Sequence, residues 1–265
     1  MHSYGSQNWE SLWKKLEQAG NIGIDYIINP YLYPVILKEI AEHPKSLIVD
    51  FGCGTNIMGI ELLFGYMRTV PGLRNVSDLG ISRFNTLLYL GLDGAKDLVI
   101  QSNKYLQDIG NPTNLATIHT HIATDASIAF DNASIDLCVS RNFLMHLPPE
   151  SLERHISEVA KMLKKGGKYV LALLNPEYEQ VKYGDTLNEG ERYSYPHGKE
   201  GEYGTFYHYY KSILFCEEVF KKNFIIESRE VCLPQTGQFK ESHSRYYNHA
   251  VPIAFVYILS KYMSK

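Results

Sequence analysis

A short apolar run that ends in a glycine-containing turn places the strongest constraint on how this chain folds. Residues 47–51 are mostly apolar, and Gly52 and Gly54 follow directly. Glycine takes positive φ angles and lets a ligand approach the backbone closely. The first N–H groups of a helix that follows such a turn are also available to a ligand. The pattern therefore predicts a buried β-strand, a tight turn and a helix that together form a ligand site.

The residues around this turn narrow the kind of ligand it can hold. Dinucleotide sites carry a third glycine, but here Gly54 is followed by Thr55, Asn56 and Ile57. Asp50 stands just before the turn, where its carboxylate would repel a phosphate group. A carboxylate at this position favours a ligand that carries a positively charged amino group.

Strand-like and helix-like segments alternate along the first two thirds of the chain. This alternation predicts a parallel sheet with helices on both faces. The predicted strands are 46–51, 86–93, 114–123, 135–140 and 168–174, and the predicted helices are 9–19, 31–41, 57–67, 95–109 and 149–165. A helix at 213–222 and strands at 224–232 and 251–261 are predicted to follow.

Composition excludes several classes of protein. The formal net charge is −3, so there is no overall basic field for a nucleic-acid backbone. No apolar run reaches the length of a membrane-spanning helix, and the first residues are polar. The four cysteines are far apart, which argues against a disulfide framework or a zinc site. We therefore expect a cytoplasmic protein that binds no metal, with reduced thiols in or near its core.

Two further acidic residues follow later predicted strands. Asp93 follows the second strand, where a carboxylate can accept both hydroxyls of a ribose; it can also serve as a helix cap. Asp125 follows the third strand, where it can accept from an adenine amine; alternatively, Asp125 is only a turn residue and Asp131 and Asn132 are the functional feature. A site that binds an ammonium group, a diol and an adenine fits S-adenosylmethionine better than NAD.

Several motifs in order resemble those of the class I S-adenosylmethionine-dependent methyltransferases. They are VDFGCGTN, GLDG, TDAS, FDNASIDLCVSRNFLMHLP and LKKGGKYVLAL, which cover about residues 46–175. The last strands resemble the reversed sixth and seventh strands of that family. The resemblance implies a Rossmann-like, seven-stranded sheet, mostly parallel with an antiparallel last strand and with helices on both faces. Residues 1–45 would form a helical lid or cap on a methyltransferase domain spanning residues 46–265.

The resemblance also implies which residues hold S-adenosylmethionine. Residues of the glycine turn would shape its methionine end, those after the second and third strands its ribose and adenine, and those after the fourth strand its sulfonium. This set comprises Asp50, Gly52, Cys53, Gly54, Asn56, Asp93, Gly94, Asp125, Ala126, Ser140, Asn142 and Phe143. The step from Gly54 to Asp93 is 39 residues, against about 20 in dinucleotide folds, which predicts an insertion at about 65–84.

A tyrosine-rich segment after the fifth predicted strand is the candidate acceptor site. Eight of the 20 tyrosines lie between Tyr178 and Tyr210. Long aromatic segments at this edge of a sheet form lids or pockets, although tyrosines are also common on the outer face of a β-hairpin. His208 and His146 are the candidate catalytic bases, with fixing of the loop as the alternative for His146. The candidate substrate-binding residues are Tyr26, Asn175, Tyr178, His197, Tyr207 and Arg245.

These observations predict a methyltransferase that acts on an O or N atom of a small, aromatic or amine-bearing molecule. The N-terminal segment can fold over the cofactor, pack on the outer face of the sheet or form a dimer contact. We expect a monomer or a homodimer that binds neither nucleic acid nor membrane. The alternatives are an RNA-modifying methyltransferase, which needs a basic face, and a non-catalytic protein that binds S-adenosylmethionine or a partner.

Overall fold

The computed structural model describes most of the sheet and the helices packed on it. The described residues are 25–43, 46–54, 58–59, 88–108, 115–119, 130, 132–178, 187–197, 204–233 and 252–262. The helices among them are α1 (Asp25–Glu42), α2 (Lys96–Asp108), α3 (Pro149–Met162) and α4 (Ile213–Lys221). The strands are β1 (Leu47–Phe51), β2 (Leu88–Asp93), β3 (Leu115–His119), β4 (Ile135–Arg141), β5 (Leu163–Leu174), β6 (Arg192–His197), β7 (Gly204–Tyr209), β8 (Phe224–Cys232) and β9 (Ala254–Lys261).

The described strands form one large sheet and a separate hairpin. The large sheet has the order β3-β2-β1-β4-β5-β9-β8, and β6 pairs with β7. Strands β1 to β5 pair in parallel, whereas β9 runs antiparallel to both β5 and β8. The predicted α/β fold with a mostly parallel, Rossmann-like sheet is confirmed. Since β1, β2 and β4 are parallel, their carboxyl ends meet at one edge of the sheet.

Helices cover both faces of this sheet. Helix α1 packs Ile28, Leu32 and Ile36 against one face, where they meet Val139 of β4 and Val170 of β5. Helices α3 and α4 cover the opposite face with a second apolar cluster, which includes Leu152, Ile156, Val159, Cys216 and Phe220. Burial of these side chains removes apolar surface from water, which is the main force that holds the layers together.

Two predicted helix boundaries are wrong. Helix α3 ends at Met162, not at residue 165, because Leu163 is extended and pairs with Ile135 as the first residue of β5. The glycines at 166 and 167 therefore lie inside β5. Helix α1 begins at Asp25, before the predicted start at residue 31, and continues through Pro30 and Pro34. Its apolar packing on the sheet offsets the backbone hydrogen bonds that proline cannot donate.

Some predicted features lie outside the described residues. These are the N-terminal helix at 9–19, most of the helix at 57–67 and the insertion at about 65–84. The described part of the tyrosine-rich segment forms the β6–β7 hairpin, in which Tyr193 pairs with His208. Cys138, Cys216 and Cys232 are buried free thiols, and Cys53 is half-buried. Within the described ranges, no helix has the length and apolar character needed to cross a bilayer.

Candidate cofactor and acceptor site

The glycine turn is tied to the end of β2. The backbone N–H groups of Gly52 and Cys53 both donate to the carbonyl of Leu92, at 2.9 and 3.1 Å. Gly52 and Gly54 have φ angles of +70° and +56°, which explains why both positions are glycine. A Cβ on Gly52 would lie 2.6 Å from the Phe143 ring, whereas a Cβ on Gly54 would have no described atom within 4 Å. Among the described residues, the turn is therefore filled on the Gly52 side and open on the Gly54 side.

Asp93 joins this turn to the start of α2. Its Oδ2 accepts from the Gly54 N–H at 2.7 Å, and its Oδ1 accepts from the Ala95 N–H at 2.8 Å. The Ala95 contact spans two residues and precedes the helix, which begins at Lys96, so the alternative role of Asp93 as a helix cap stays a prediction. Each carboxylate oxygen can accept more than one hydrogen bond. The neighbouring Gly94 is exposed.

Asp50 is a buried carboxylate at the end of β1. Its Oδ2 accepts from the Tyr89 hydroxyl at 2.8 Å. Burial raises the pKa of Asp50 to about 7, and the positive charge of Arg141 and the Tyr89 hydrogen bond oppose this rise. A cation bound beside Asp50 would favour the ionised carboxylate.

Arg141, at the end of β4, links Asp50 to helix α1. Its Nη1 donates to Asn29 Oδ1 at 2.7 Å and to the Tyr33 hydroxyl at 3.4 Å. The sequence analysis did not single out this arginine, although it stands in one of the quoted motifs. Its position could have indicated a role in the site, because Arg141 directly follows Ser140 at the end of a predicted strand.

The other residues after β4 pack behind the glycine turn. Ser140 is fully buried, and its hydroxyl lies 2.8 Å from the Tyr169 hydroxyl. Asn142 has a φ of +54°, which turns the chain away from the strand. Phe143 fills the space beside Gly52. These contacts bring the predicted residues Ser140, Asn142 and Phe143 to the end of β4, next to the glycine turn.

The two candidate catalytic histidines meet where the β6–β7 hairpin contacts the turn after β4. The His146 and His208 rings lie edge to face, with 4.7 Å between their centroids. His146 Nδ1 lies 3.2 Å from the Tyr207 carbonyl oxygen; since a carbonyl only accepts, Nδ1 carries a proton in this bond. Burial and the positive charge of Lys211 lower the pKa of His208 to about 3. Burial, then His208, lowers the pKa of His146 well below its usual value. Both rings are therefore neutral at physiological pH.

Lys211 fixes this junction. Its Nζ donates to the carbonyl oxygens of Leu147 at 2.7 Å, Tyr209 at 3.1 Å and Met145 at 3.4 Å. The lysine is 3% exposed. It therefore attaches the end of β7 to both sides of His146, and the sequence analysis missed it because no local pattern distinguishes it from a surface lysine.

The side chains of the remaining predicted substrate residues contact other groups or lie outside the described side chains. Tyr207 is 47% exposed and stacks under the Arg192 guanidinium at 3.9 Å, while its neighbour His208 is buried. Asn175 donates to the Pro252 carbonyl and accepts from the Glu177 N–H, and Tyr178 is buried in the core. The described side chains do not include Tyr26, His197, Arg245, Asn56, Asp125 and Ala126.

Part of the chain matches a known domain family, and its fold is similar to that of solved structures. Residues 77–171 match the model of a methyltransferase domain family. No curated protein matches the chain. A crystal structure of S-adenosylmethionine-dependent methyltransferases from Methanosarcina mazei is similar, with 18% identity, a TM-score of 0.62, and 88% of this chain and 99% of that chain covered.

Two other solved structures share the fold. The PH0226 protein of Pyrococcus horikoshii OT3 has 13% identity and a TM-score of 0.57, with 92% of this chain and 99% of that chain covered. The geranyl diphosphate C-methyltransferase of Streptomyces coelicolor A3(2), in complex with Mg²⁺, geranyl diphosphate and S-adenosyl-L-homocysteine, has 12% identity and a TM-score of 0.53, with 86% of this chain and 79% of that chain covered.

The chain carries a methyltransferase domain match at residues 77–171 and shares its fold with S-adenosylmethionine-dependent methyltransferases, in agreement with the predicted class I family. It is therefore an enzyme, and S-adenosylmethionine is its cofactor. The predicted family, activity and cofactor are confirmed. The predicted roles of individual residues remain predictions, and the acceptor is the subject of the proposal below.

Proposed function

We propose that this methyltransferase modifies an O or N atom of a small, aromatic or amine-bearing molecule held between the β6–β7 hairpin and the turn after β4. The observation that carries the proposal is the meeting of His146 and His208 at this junction, 4.7 Å apart. Two neutral imidazoles beside the end of β4 offer a proton acceptor on the side of the sheet where parallel folds bind their ligands.

The residues at the ends of β1 and β2 suit the cofactor. The unfilled side of Gly54 lets the backbone approach a ligand, and the Asp93 carboxylate beside it can accept from ribose hydroxyls. Asp50 would hold the ammonium group, because an adjacent cation stabilises its ionised form. When bound, S-adenosylmethionine supplies an electrophilic methyl group.

His146 would receive the proton that the acceptor loses. Its lowered pKa keeps the imidazole neutral, so it can accept without first losing a proton. A phenol oxygen or an aromatic amine nitrogen that gains a methyl group becomes acidic, and a weak base is then sufficient. A methylated alkylamine instead remains an ammonium ion, and its formation needs no base. His208, which is more buried, would support the His146 ring through their edge-to-face contact. Alignment of the acceptor supplies much of the rate enhancement in such reactions, about 7–11 kcal/mol at best.

The aromatic character of the hairpin supports a flat or cationic acceptor. Tyr193 lies edge to face with His208, with 5.6 Å between the ring centroids. Tyr209 and Tyr210 are half-buried at the end of β7. Tyrosine faces attract cations and pack against planar rings, which favours phenols, aromatic amines and alkylamines over aliphatic acids.

The test uses the full chain and methyl-labelled S-adenosylmethionine. The purified protein is incubated with separate pools of phenols, aromatic amines, alkylamines and aliphatic acids, and labelled products are identified by mass spectrometry. We expect labelled O- or N-methyl products from the first three pools. Turnover with the acid pool alone, or with RNA alone, would overturn the proposed acceptor class.

A variant pair then tests the base. His146→Gln should lower kcat about 100-fold or more, while the Kd for S-adenosylhomocysteine stays within about twofold of the wild type. The matched control is His43→Gln, which changes an exposed histidine after α1 and should leave both values unchanged. Unchanged kcat in His146→Gln would assign proton removal to another group.

A further inference from the structure

Two side chains of opposite charge lie on the same face of the sheet, at its carboxyl edge. Asp50 of β1 stands opposite Val139 of β4, and Arg141 is two residues further along β4. Since successive side chains of a strand point to opposite faces, Asp50 and Arg141 share the face that α1 covers. Continuing this register by one residue places Arg141 level with Gly52, the first residue of the glycine turn.

Asp50 and Arg141 act on each other without a direct hydrogen bond among the described contacts. The Asp50 carboxylate accepts from the Tyr89 hydroxyl at 2.8 Å. The positive charge of Arg141 opposes the rise in the pKa of Asp50 that burial causes. A carboxylate and a guanidinium at the ends of neighbouring strands offer partners of both charges to a zwitterion. The methionine end of S-adenosylmethionine is such a group, with an ammonium and a carboxylate on one carbon atom.

Helix α1 holds the Arg141 guanidinium in place. Its Nη1 donates to Asn29 Oδ1 at 2.7 Å and to the Tyr33 hydroxyl at 3.4 Å. Both acceptors are buried, with 6% and 1% of their surface exposed. A guanidinium presents five N–H donors in a planar fork whose geometry matches that of a carboxylate. An arginine oriented in advance loses less conformational entropy when a carboxylate binds to it.

Arg141 belongs to a partly exposed strip of residues beside the glycine turn. Gly52 and Gly54 are partly exposed on one side of this strip, and Arg141 and Asn142 are partly exposed on the other. A Cβ on Gly54 would meet no described atom within 4 Å. Asp50 lies deeper, with 2% of its surface exposed, so Arg141 is the more accessible of the two charged groups.

We propose that Arg141 binds the carboxylate at the methionine end of S-adenosylmethionine and makes the enzyme select ligands that keep this carboxylate. The inference rests on the proposed function, which assigns the ammonium group of the same end to Asp50. The two charged residues together would distinguish a complete amino-acid end from a bare amine. Arg141 is therefore a specificity-determining residue of the cofactor site.

A pair of ligands that differ only in the carboxylate tests this role. Calorimetry on the full chain compares S-adenosylhomocysteine with S-adenosyl-3-thiopropylamine, which keeps the adenosine, the thioether and the ammonium group. We expect the wild type to bind S-adenosylhomocysteine about 10-fold to 100-fold more tightly, as is typical of a charge-assisted hydrogen bond. In Arg141→Met the two Kd values should differ by about twofold or less. Because both ligands carry the ammonium group, a change in the charge of Asp50 cancels in this ratio.

A control ligand and a control variant separate charge recognition from damage to the site. Methylthioadenosine lacks both the ammonium and the carboxylate, so Arg141→Met should bind it with a Kd within about twofold of the wild type. The control variant is Arg229→Met, because Arg229 pairs with Glu217 on β8, at the edge of the sheet. It should keep the wild-type ratio between the two amine-bearing ligands.

Lysine at position 141 tests the geometry of the contact. Arg141→Lys keeps the charge but not the planar fork, so its ratio should lie between those of the wild type and Arg141→Met. Where Arg141→Met fails to fold, Arg141→Gln gives the decision from the same ratio, which should again fall well below the wild-type value.

The outcomes separate this inference from the proposed function. Equal affinities of the wild type for the two amine-bearing ligands would overturn the inference. A wild-type ratio in folded Arg141→Met or Arg141→Gln would overturn it as well, even if the enzyme methylates the phenol and amine pools. Wild-type protein that shows the expected ratios but methylates none of those pools would contradict only the proposed acceptor class.

Discussion

Gly52 and Gly54 adopt the same left-handed backbone region but have different neighbours. Alanine at either position carries a strain of about 1–2 kcal/mol. Gly52→Ala also forces a Cβ against Phe143, so we expect it to lose about 3 kcal/mol or more of unfolding free energy in denaturant titrations. Gly54→Ala should lose only the strain energy but weaken S-adenosylhomocysteine binding, because its Cβ projects into the open side of the turn.

Gly166 offers a matched control for these two variants. It has a φ of +77° and no described atom within 4 Å of an added Cβ, and it lies at the opposite end of β5 from the site. Gly166→Ala should therefore lose about 1–2 kcal/mol of stability with unchanged ligand binding. Equal stability losses in all three variants would mean that Phe143 moves aside without cost.

Asp50 is expected to reduce the stability of the ligand-free enzyme as pH rises. Its folded pKa of about 7 exceeds the value of 3.8 for a free side chain. Stability from the protonated carboxyl is therefore present below pH 3.8 and is lost as pH rises towards 7. Asp50→Asn removes this loss, so its stability gain over wild type should be about 2–3 kcal/mol larger at pH 8 than at pH 5.

Thermal and denaturant unfolding at both pH values measures this gain, and calorimetry gives the accompanying change in ligand affinity. The same variant should bind S-adenosylhomocysteine about tenfold more weakly at pH 8, because the neutral amide cannot pair with the ammonium group. A pH-independent stability difference would show that Asp50 is already ionised in the ligand-free protein.

The sequence could predict site residues that stand at strand ends and could not predict those that depend on packing. Asp50, Gly52, Gly54 and Asp93 lie at or just after the ends of strands that a parallel sheet brings to one edge, so the local pattern was sufficient to predict that they lie close together. Their roles stay predictions. Tyr169 lies in the middle of an apolar strand, and its contact with Ser140 depends on the register of β4 against β5. The order of residues in the sequence does not by itself determine that register.

At the scale of elements, Lys211 joins the hairpin to the turn that carries His146. Lys211→Met removes three donated hydrogen bonds and a buried positive charge. That charge lowers the pKa of both histidines, although burial is the larger cause. Its loss should raise both pKa values, so the acid limb of the kcat/KM profile should move to higher pH.

The measurement is a pH–rate profile together with thermal unfolding. Lys222→Met is the control, because Lys222 is exposed and pairs only at the surface with Glu153. It should leave the profile unchanged. If Lys211→Met lowers the stability but the acid limb stays at the same pH, the role of Lys211 is only structural.

The elements were predicted more completely than their ends and contacts. Alternating apolar runs predicted every described strand of the main sheet, and the strand 224–232 coincides with β8. The end of α3 was wrong because two glycines resemble a helix stop, whereas Leu163 gains a strand partner that only the folded sheet provides. The docking of the hairpin on the turn after β4 likewise depends on tertiary contacts such as those of Lys211.

For the whole molecule, the packing of α1 on the sheet reaches into the cofactor site. Asn29 and Tyr33 of α1 hold the Arg141 guanidinium, whose charge lowers the pKa of Asp50. Of the three roles considered for the N-terminal segment, packing on the sheet face describes residues 25–42. Because the same helix also orients Arg141, its docking should influence how strongly the enzyme binds its cofactor.

Asn29→Leu tests this long-range effect. Loss of the amide oxygen should loosen Arg141 and raise the pKa of Asp50, so a larger fraction of Asp50 is protonated near neutrality. For a rise of about one pKa unit, the ratio of variant to wild-type Kd for S-adenosylhomocysteine should be about tenfold at pH 6 and about twofold at pH 8. Taking the ratio at each pH cancels the titration of the ligand itself. Lys38→Gln, on the exposed side of α1, should give a ratio near one at both pH values. A constant ratio for Asn29→Leu would mean that α1 acts on the shape of the site and leaves the charge of Asp50 unaltered.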